Sequence, residues 1–263
     1  MSTNMLCTPA HTRLFPSLLS SSLKLKLKQP KLLFNNRRNN HTIKMSSNNQ
    51  SQFIEHIVLF KVKPDIDSQK VNSMVNSLNS LTSLNLTLHL SSGQLHQSRS
   101  TALTFTHILH SRYKTVEDLK TYAVHPEHVR VVNEHVKPVC DDIMAVDWRS
   151  EGGLKCVIEP GKAMRVTFVK LKDEKYKSKV LEVTRGVKDE FGGVIEEYSV
   201  GENFSERAKG YEIATVAVFN GVEEMEKMDA EKVRREKVKV KEFVESVVVV
   251  DYVVPVATQA ANL

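Results

Sequence analysis

The stretch Tyr122-Ala123-Val124-His125-Pro126-Glu127-His128 places a phenol, two imidazoles and a carboxylate within seven residues. An imidazole titrates near neutrality and can take a proton from a carbon beside a carbonyl. A phenol can donate to an oxygen on which negative charge develops. The backbone around these groups is also unusual. Pro126 drives His125 out of the helical region, and it can open a new helix because its missing N–H costs nothing in a first turn. The stretch therefore predicts a broken helix, which aims its side chains into a cavity more readily than a straight one. His125 serves as the hinge, and Glu127 faces solvent near a helix N-terminus. Two more histidines, His56 and His107, fall on alternating runs that read as strands.

The elements that must hold these residues follow from periodicity. Phe53–Val62 alternates, with His56, Val58, Phe60 and Val62 on one face and Ile57 and Leu59 on the other. Val71, Met74, Val75, Leu78, Leu81 and Leu84 recur at helical spacing, behind a cap at Asp67 or Ser68. Leu86–Leu90 reads as a strand, Gly93–Thr101 as a polar loop and Ala102–Tyr113 as a second long strand. Thr115 begins the helix that carries Tyr122. Val129, Val132, Val136 and Val139 form the apolar face of the helix after Pro126, and Ile143–Trp148 is the last strand. Strand–helix–strand–strand–helix–strand is the split βαβ, or ferredoxin-like, order. The same order returns over residues 163–254. There Arg165–Lys172 echoes His56–Lys63, Tyr211–Phe219 echoes Phe105–Tyr113, and Val247–Tyr252 echoes Ile143–Trp148. The expected architecture is α+β: two tandem ferredoxin-like units, residues 53–150 and 163–254, joined by a Gly- and Pro-bearing linker. Each leaves one sheet face bare. The two faces can close on each other as an intrachain pseudo-dimer, or each can pair with another chain in a homodimer.

Composition narrows the function classes. The net charge of +6 comes from residues 1–50, which hold eight basic residues and no acidic one. Without them 29 basic residues face 31 acidic ones, so nothing favours nucleic acid as a partner. No apolar run is long enough to span a membrane. Cys7, Cys140 and Cys156 show no metal-ligand spacing, and a reducing compartment fits them. The basic leader, rich in Ser and Asn, reads as a transit peptide for the chloroplast, and Met45 offers a second start that would omit it. Residues 255–263 form a tail ending Ala261-Asn262-Leu263, a tripeptide of the peroxisomal small–polar–Leu type, so a peroxisomal import receptor is an expected partner.

Glu55-His56-Ile57-Val58-Leu59-Phe60-Lys61, Thr106-His107-Ile108, Tyr122–His128 and Val146-Asp147-Trp148 together resemble the stress-responsive dimeric α/β-barrel family, and the two-copy layout resembles its two-domain plant members. The resemblance implies a barrel that binds a small apolar ligand, with a role in stress or defence. A related group, the olivetolic-acid-cyclase type of polyketide cyclase, closes a poly-β-ketoacyl chain by an aldol step. On that resemblance His128 matches the acid/base histidine and Tyr122 the tyrosine that holds or polarises the substrate, while His56 and His107 match further pocket histidines. A haem-degrading oxygenase on the same barrel would need an axial ligand, and only His128 or His56 offers itself. The resemblance requires no cofactor. It does suggest Mg²⁺ at the carbonyls of Leu78, Leu81 and Leu84, where the first helix ends. The second copy departs from this pattern, with Arg165 for His56, Ile213 for His107, Met228 for Tyr122, Glu231 for His125 and Arg234 for His128. It cannot run the same chemistry.

Overall fold

The computed structural model describes residues 52–100, 103–151, 154–228 and 240–256. The basic leader, the C-terminal tripeptide, and Glu231 and Arg234 lie outside them. The first half contains β1 (Ile54–Val62), α1 (Ser68–Ser80), β2 (His89–Gln94), β3 (Gln97–Ser98), β4 (His107–Tyr113), α2 (Val116–Val124), α3 (Pro126–Val131) and β5 (Cys140–Arg149). The second contains β6 (Ala163–Leu171), α4 (Lys177–Arg185), α5 (Val187–Phe191), β7 (Glu197–Glu202), β8 (Ile213–Phe219), α6 (Val222–Glu226) and β9 (Val244–Val253). The strands form two antiparallel sheets, ordered β2-β4-β1-β5 and β3-β9-β6-β8-β7. The fold is α+β, built from two ferredoxin-like units.

Alternation along the strands decides what each sheet face meets. Ile57 and Leu59 of β1, Ile108 of β4 and Met144, Val146 and Trp148 of β5 pack with Met164, Val166, Phe168, Val216, Val248, Val250 and Tyr252 of the second half. These side chains fill the space between the sheets, so the two bare faces close on each other within one chain. The opposite face of the first sheet, with Val58, Phe60, Leu109 and Tyr113, packs under α1, α2 and α3 through Met74, Leu78, Leu119, Tyr122 and Val131.

The barrel is sealed at both edges by chain that crosses from one half to the other. After β2 the chain runs on into β3, which pairs with β9 of the second half. The expected polar loop after Gly93 is thus partly a strand. Its residues carry no alternation, and its partner lies some 150 positions downstream, so local pattern could not reveal it. The equivalent crossing in the second half brings Asn203, just past β7, against Trp148 of β5. The two crossings are related by pseudo-symmetry. Ser91 meets the Tyr252 hydroxyl at 2.5 Å, and Trp148 Nε1 donates to Ser199 Oγ at 2.9 Å. One part of the interior is charged. Arg112 of β4 pairs with Glu55 of β1 at 3.1 Å and Glu197 of β7 at 3.4 Å, and His110 Nε2 meets Glu55 at 2.6 Å. These groups are buried, so each charge depends on its partners.

Candidate functional site

The broken helix forms as its sequence requires. Thr115 caps α2 in a capping box with Asp118. His125 takes extended backbone (φ −61°, ψ 133°), ending α2 and opening α3, and its Nδ1 accepts the Glu127 amide at 3.2 Å. Glu127 lies in the exposed first turn and pairs with Arg130. Beyond α3 the helix widens into a π-turn over Val132–Val136, where the Lys137 amide reaches the Val132 carbonyl at 2.9 Å. This break turns Tyr122 and His128 onto the sheet with ring centroids 4.5 Å apart. Tyr122 in turn lies 5.4 Å from Tyr113, and Tyr113 lies 6.2 Å from His56. A continuous run of rings thus joins the helix break to β1.

A cavity of ≈ 520 Å³ opens between this sheet face and the helices. That volume suits a small organic molecule. Val58, Phe60, Leu78, Leu109, Leu119 and Ala145 supply apolar wall, while His56, Tyr122 and His128 supply polar groups. The cavity lies on the helix side of the first sheet and not between the two sheets. That space is filled by large side chains, and strand parity puts His56 on the helix side. His107 shares that side but is not part of the wall, its Nδ1 being engaged with Thr106 Oγ1 at 2.9 Å. Leu78 lines the cavity, Leu81 is buried beneath α1 and Leu84 packs partly against the same core. The Leu78 carbonyl, at the end of α1, accepts the Leu81 amide. Among the described residues, no group of three or more His, Cys, Asp or Glu side chains is arranged to hold a metal.

His56 Nδ1 is hydrogen-bonded to Asp147 Oδ1, directly across the β1–β5 pair. Burial pushes the Asp147 carboxyl up, but His56, Arg207 and Ser205 together hold it below the usual range. An ionised Asp147 accepts from Nδ1–H of His56, which leaves Nε2 as the ring nitrogen without this partner. His128 is oriented in the same sense. Its Nδ1 meets the Ala123 carbonyl at 3.0 Å, which requires N–H there and leaves Nε2 as the acceptor. Burial lowers the His128 pKa, so the ring is neutral near pH 7. The Tyr122 hydroxyl is buried with no partner of good hydrogen-bonding geometry among the described residues, although the Tyr113 hydroxyl lies close enough to interact. Burial raises the Tyr122 pKa well above the phenol range, so it stays a donor. In the sequence Asp147 reads only as part of a strand. Its signal is its position opposite His56, which depends on strand register and not on spacing.

The fourth wall comes from the second half. Glu206, Arg207 and Lys209 lie over the mouth beside Lys137. The strap that carries them is tied along β5: Asn203 Oδ1 accepts the Asp147 amide at 3.0 Å, the Phe204 amide donates to the Asp147 carbonyl at 2.8 Å, and the Ala145 amide donates to the Arg207 carbonyl at 3.2 Å. Lys209 adopts a left-handed backbone (φ 53°) and pairs with Asp142 at 2.7 Å.

The stress responsive A/B barrel domain model matches residues 54–150 and again 163–254. The chain belongs to that family. A stress-response A/B barrel domain-containing protein of Arabidopsis thaliana is 48% identical over 233 residues, covering 86% of this chain and 88% of its own. A second Arabidopsis thaliana protein of the same description is 41% identical over 209 residues, covering 78% of this chain and 98% of its own. Among solved structures, an anthrone oxidase-like protein superposes with a TM-score of 0.57 at 10% identity, over 78% of this chain and 92% of its own. That likeness is one of fold alone.

The two A/B barrel domains of this chain are not equivalent. Where the first has His56 on Asp147, the second has Arg165 on Asp251, at 2.8 Å, with Met228 sulfur 3.9 Å from the same guanidinium. An arginine held by a carboxylate cannot act as a base at neutral pH. The hydrogen-bonded imidazoles at the cavity therefore belong to the first domain, while the second closes the barrel and supplies part of the cavity wall.

Proposed function

We propose that this stress-response A/B barrel protein binds a small, mainly apolar molecule in the first domain's cavity, as part of a stress or defence role. The observation that carries this reading is an apolar-walled cavity into which two oriented imidazoles and a buried phenol converge. The test is a ligand screen on the full chain and on Leu109→Trp, which fills the cavity, with retained compounds read by mass spectrometry. A class of compound held by the parent and lost by the filled variant is expected. Equal retention by both would sink the reading.

A second reading is favoured by the His56–Asp147 pair. An imidazole whose Nδ1–H is held by a carboxylate is the arrangement of a general base. On this reading His56 Nε2 takes the α-proton of a β-dicarbonyl compound, with Tyr122 donating to the enolate oxygen and His128 as a second acid/base group. The enolate carbon then attacks a distal carbonyl of the same chain, forming one carbon–carbon bond. The new alkoxide takes up a proton, and the result is an intramolecular aldol closure of the polyketide-cyclase kind. The resemblance gives the base role to His128. His56 is the stronger candidate, because its Nδ1 is held by a carboxylate and that of His128 only by a carbonyl. His56→Ala should slow α-proton exchange of a β-ketoacyl thioester in D₂O by about 10²- to 10⁴-fold. Exchange unchanged in both His56→Ala and His128→Ala would leave binding alone.

For localisation we propose plastid import of the long form, on the leader's composition, and peroxisomal import of a form starting at Met45, on Ala261-Asn262-Leu263. A C-terminally tagged full chain would test the first by microscopy, and N-terminally tagged residues 45–263, with and without that tripeptide, the second.

A further inference from the structure

The two halves carry the same strap with one difference in use. Aligned on Gly93 and Gly201, Arg99 of the first strap corresponds to Arg207 of the second. His96 and Phe204, three residues earlier, donate their amides to Asp251 and Asp147 respectively, both at close to 2.9 Å (2.9 and 2.8 Å). Each strap therefore delivers an arginine over the other half's cross-strand carboxylate. Over the second domain, Arg99 Nε binds Asp251 Oδ2 at 2.6 Å, and Arg165 binds the same carboxylate. There both guanidinium groups are tied to the one carboxylate. Over the first domain, His56 and Ser205 engage Asp147, and the Arg207 guanidinium makes no side-chain hydrogen bond among the described residues. Its charge still reaches both Asp147 and His128.

The rest of the mouth points the same way. Lys209 is neutralised by Asp142, and Lys137 is bound only to the neutral Asn133 side chain at 2.8 Å. Against these cations stands one carboxylate, Glu206, in the cavity wall. Behind the mouth the walls are mainly apolar, with His56, Tyr122 and His128 as the polar groups. An occupant that satisfied both regions would have a hydrocarbon body and one negative group at its outer end.

We propose that the first domain's cavity takes amphipathic carboxylic acids, and that Arg207, supplied by the second domain, is the residue that selects the carboxylate. This rests on the reading of the cavity as a ligand site. It also gives the second domain a role in specificity, although it contributes no imidazole to the cavity. The carboxylate sits at the mouth between Arg207 and Lys137. The apolar tail runs inward along Val58, Leu109 and Leu119, past His128.

The experiment is isothermal titration of the full chain with decanoic acid and with decan-1-ol, at low and at raised salt. The acid should bind more tightly than the alcohol by about ten-fold or more, the range of a hydrogen bond to a charged group, and the gap should shrink as salt rises. In Arg207→Gln the acid should fall to the level of the alcohol. Arg207→Lys should keep part of the preference, and Arg99→Gln should leave it intact. Arg207 is exposed and its strap is held through backbone, so the Gln variant should melt with the parent. Equal binding of acid and alcohol by the parent would overturn the selectivity and spare the cavity reading. So would an acid preference that survives in Arg207→Gln. Binding of neither probe would overturn the proposal and the cavity reading together.

Discussion

Replacing Gly201 by Ala tests the closure of the barrel at one atom. A Cβ built on Gly201 would stand 2.7 Å from the Arg149 carbonyl oxygen and 2.7 Å from Trp148 Cδ1. Neither neighbour can step aside cheaply. The first is backbone of β5, and the second is a fully buried indole held by its bond to Ser199. Overpacking of this kind costs about 1–3 kcal/mol. The Gly→Ala change returns about 0.4–1 kcal/mol through the unfolded chain. With two clashes at one site, a net loss of about 2 kcal/mol is expected, or about 4–8 °C in Tm for a chain of this size. Gly93 is the pseudo-symmetric control. Its Cβ would approach only the edge of the Tyr252 ring, at 3.3 Å, so Gly93→Ala should fall within about 1 kcal/mol of the parent. Trp148 is the chain's one tryptophan and is buried at the seam. Urea titrations followed by its fluorescence therefore read the very contact that is disturbed. Equal losses in the two variants, or a Gly201→Ala chain as stable as the parent, would show that the two halves do not meet at this seam as described.

Buried groups give three further outcomes. Burial pushes the Glu55 carboxyl up, but Arg112 and His110 outweigh it and hold its pKa at about 2 in the fold. Its contribution is present above the ordinary carboxylate pKa and is lost as pH falls toward 2, worth about 3 kcal/mol at most. Glu55→Gln should flatten the acid limb of a stability–pH curve, and an unchanged slope would refute the pairing. Burial, with His110 and Arg112, lowers His89 to about 3. The unfolded chain therefore binds the extra proton first, and stability should fall as pH drops from about 6.5; His89→Gln should reduce that slope, the other buried histidines keeping the rest. Finally, residues 52–150 expressed alone would expose Ile57, Leu59, Ile108 and Val146. Light scattering should find them self-associated, and a stable monomer would contradict the shared core.

The sequence made the fold legible because its signals were local. Alternation in Phe53–Val62 placed His56, Val58 and Phe60 on one face and Ile57 and Leu59 on the other, as the packing shows. The Pro126 break and the His125 hinge could be read for the same reason, since Pro restricts its own neighbours. What local pattern could not supply was register. The pairing of His56 with Asp147 spans 91 positions and follows from which β5 residue stands opposite β1. The position of the cavity was also hidden. Two bare faces can enclose a ligand or a core, and only the sizes of Trp148, Phe168 and Tyr252 packed together decide for a core.

Duplication then explains the division of labour. A ferredoxin-like unit needs a partner sheet, and a fused second copy supplies one at fixed stoichiometry. Once fused, the two straps need not stay identical in use. The first strap's Arg99 locks Asp251, and with Arg165 it makes the second site a structural ion pair. The second strap's Arg207 meets an Asp147 already engaged by His56, and its guanidinium is left facing the cavity mouth. The change from Arg165 to His56 between the two copies thus has two consequences. It turns a cross-strand ion pair into an oriented imidazole, and it releases the strap arginine for something that arrives from solution. Both consequences fall on the same cavity, so the first domain's site is complete only with the second domain in place.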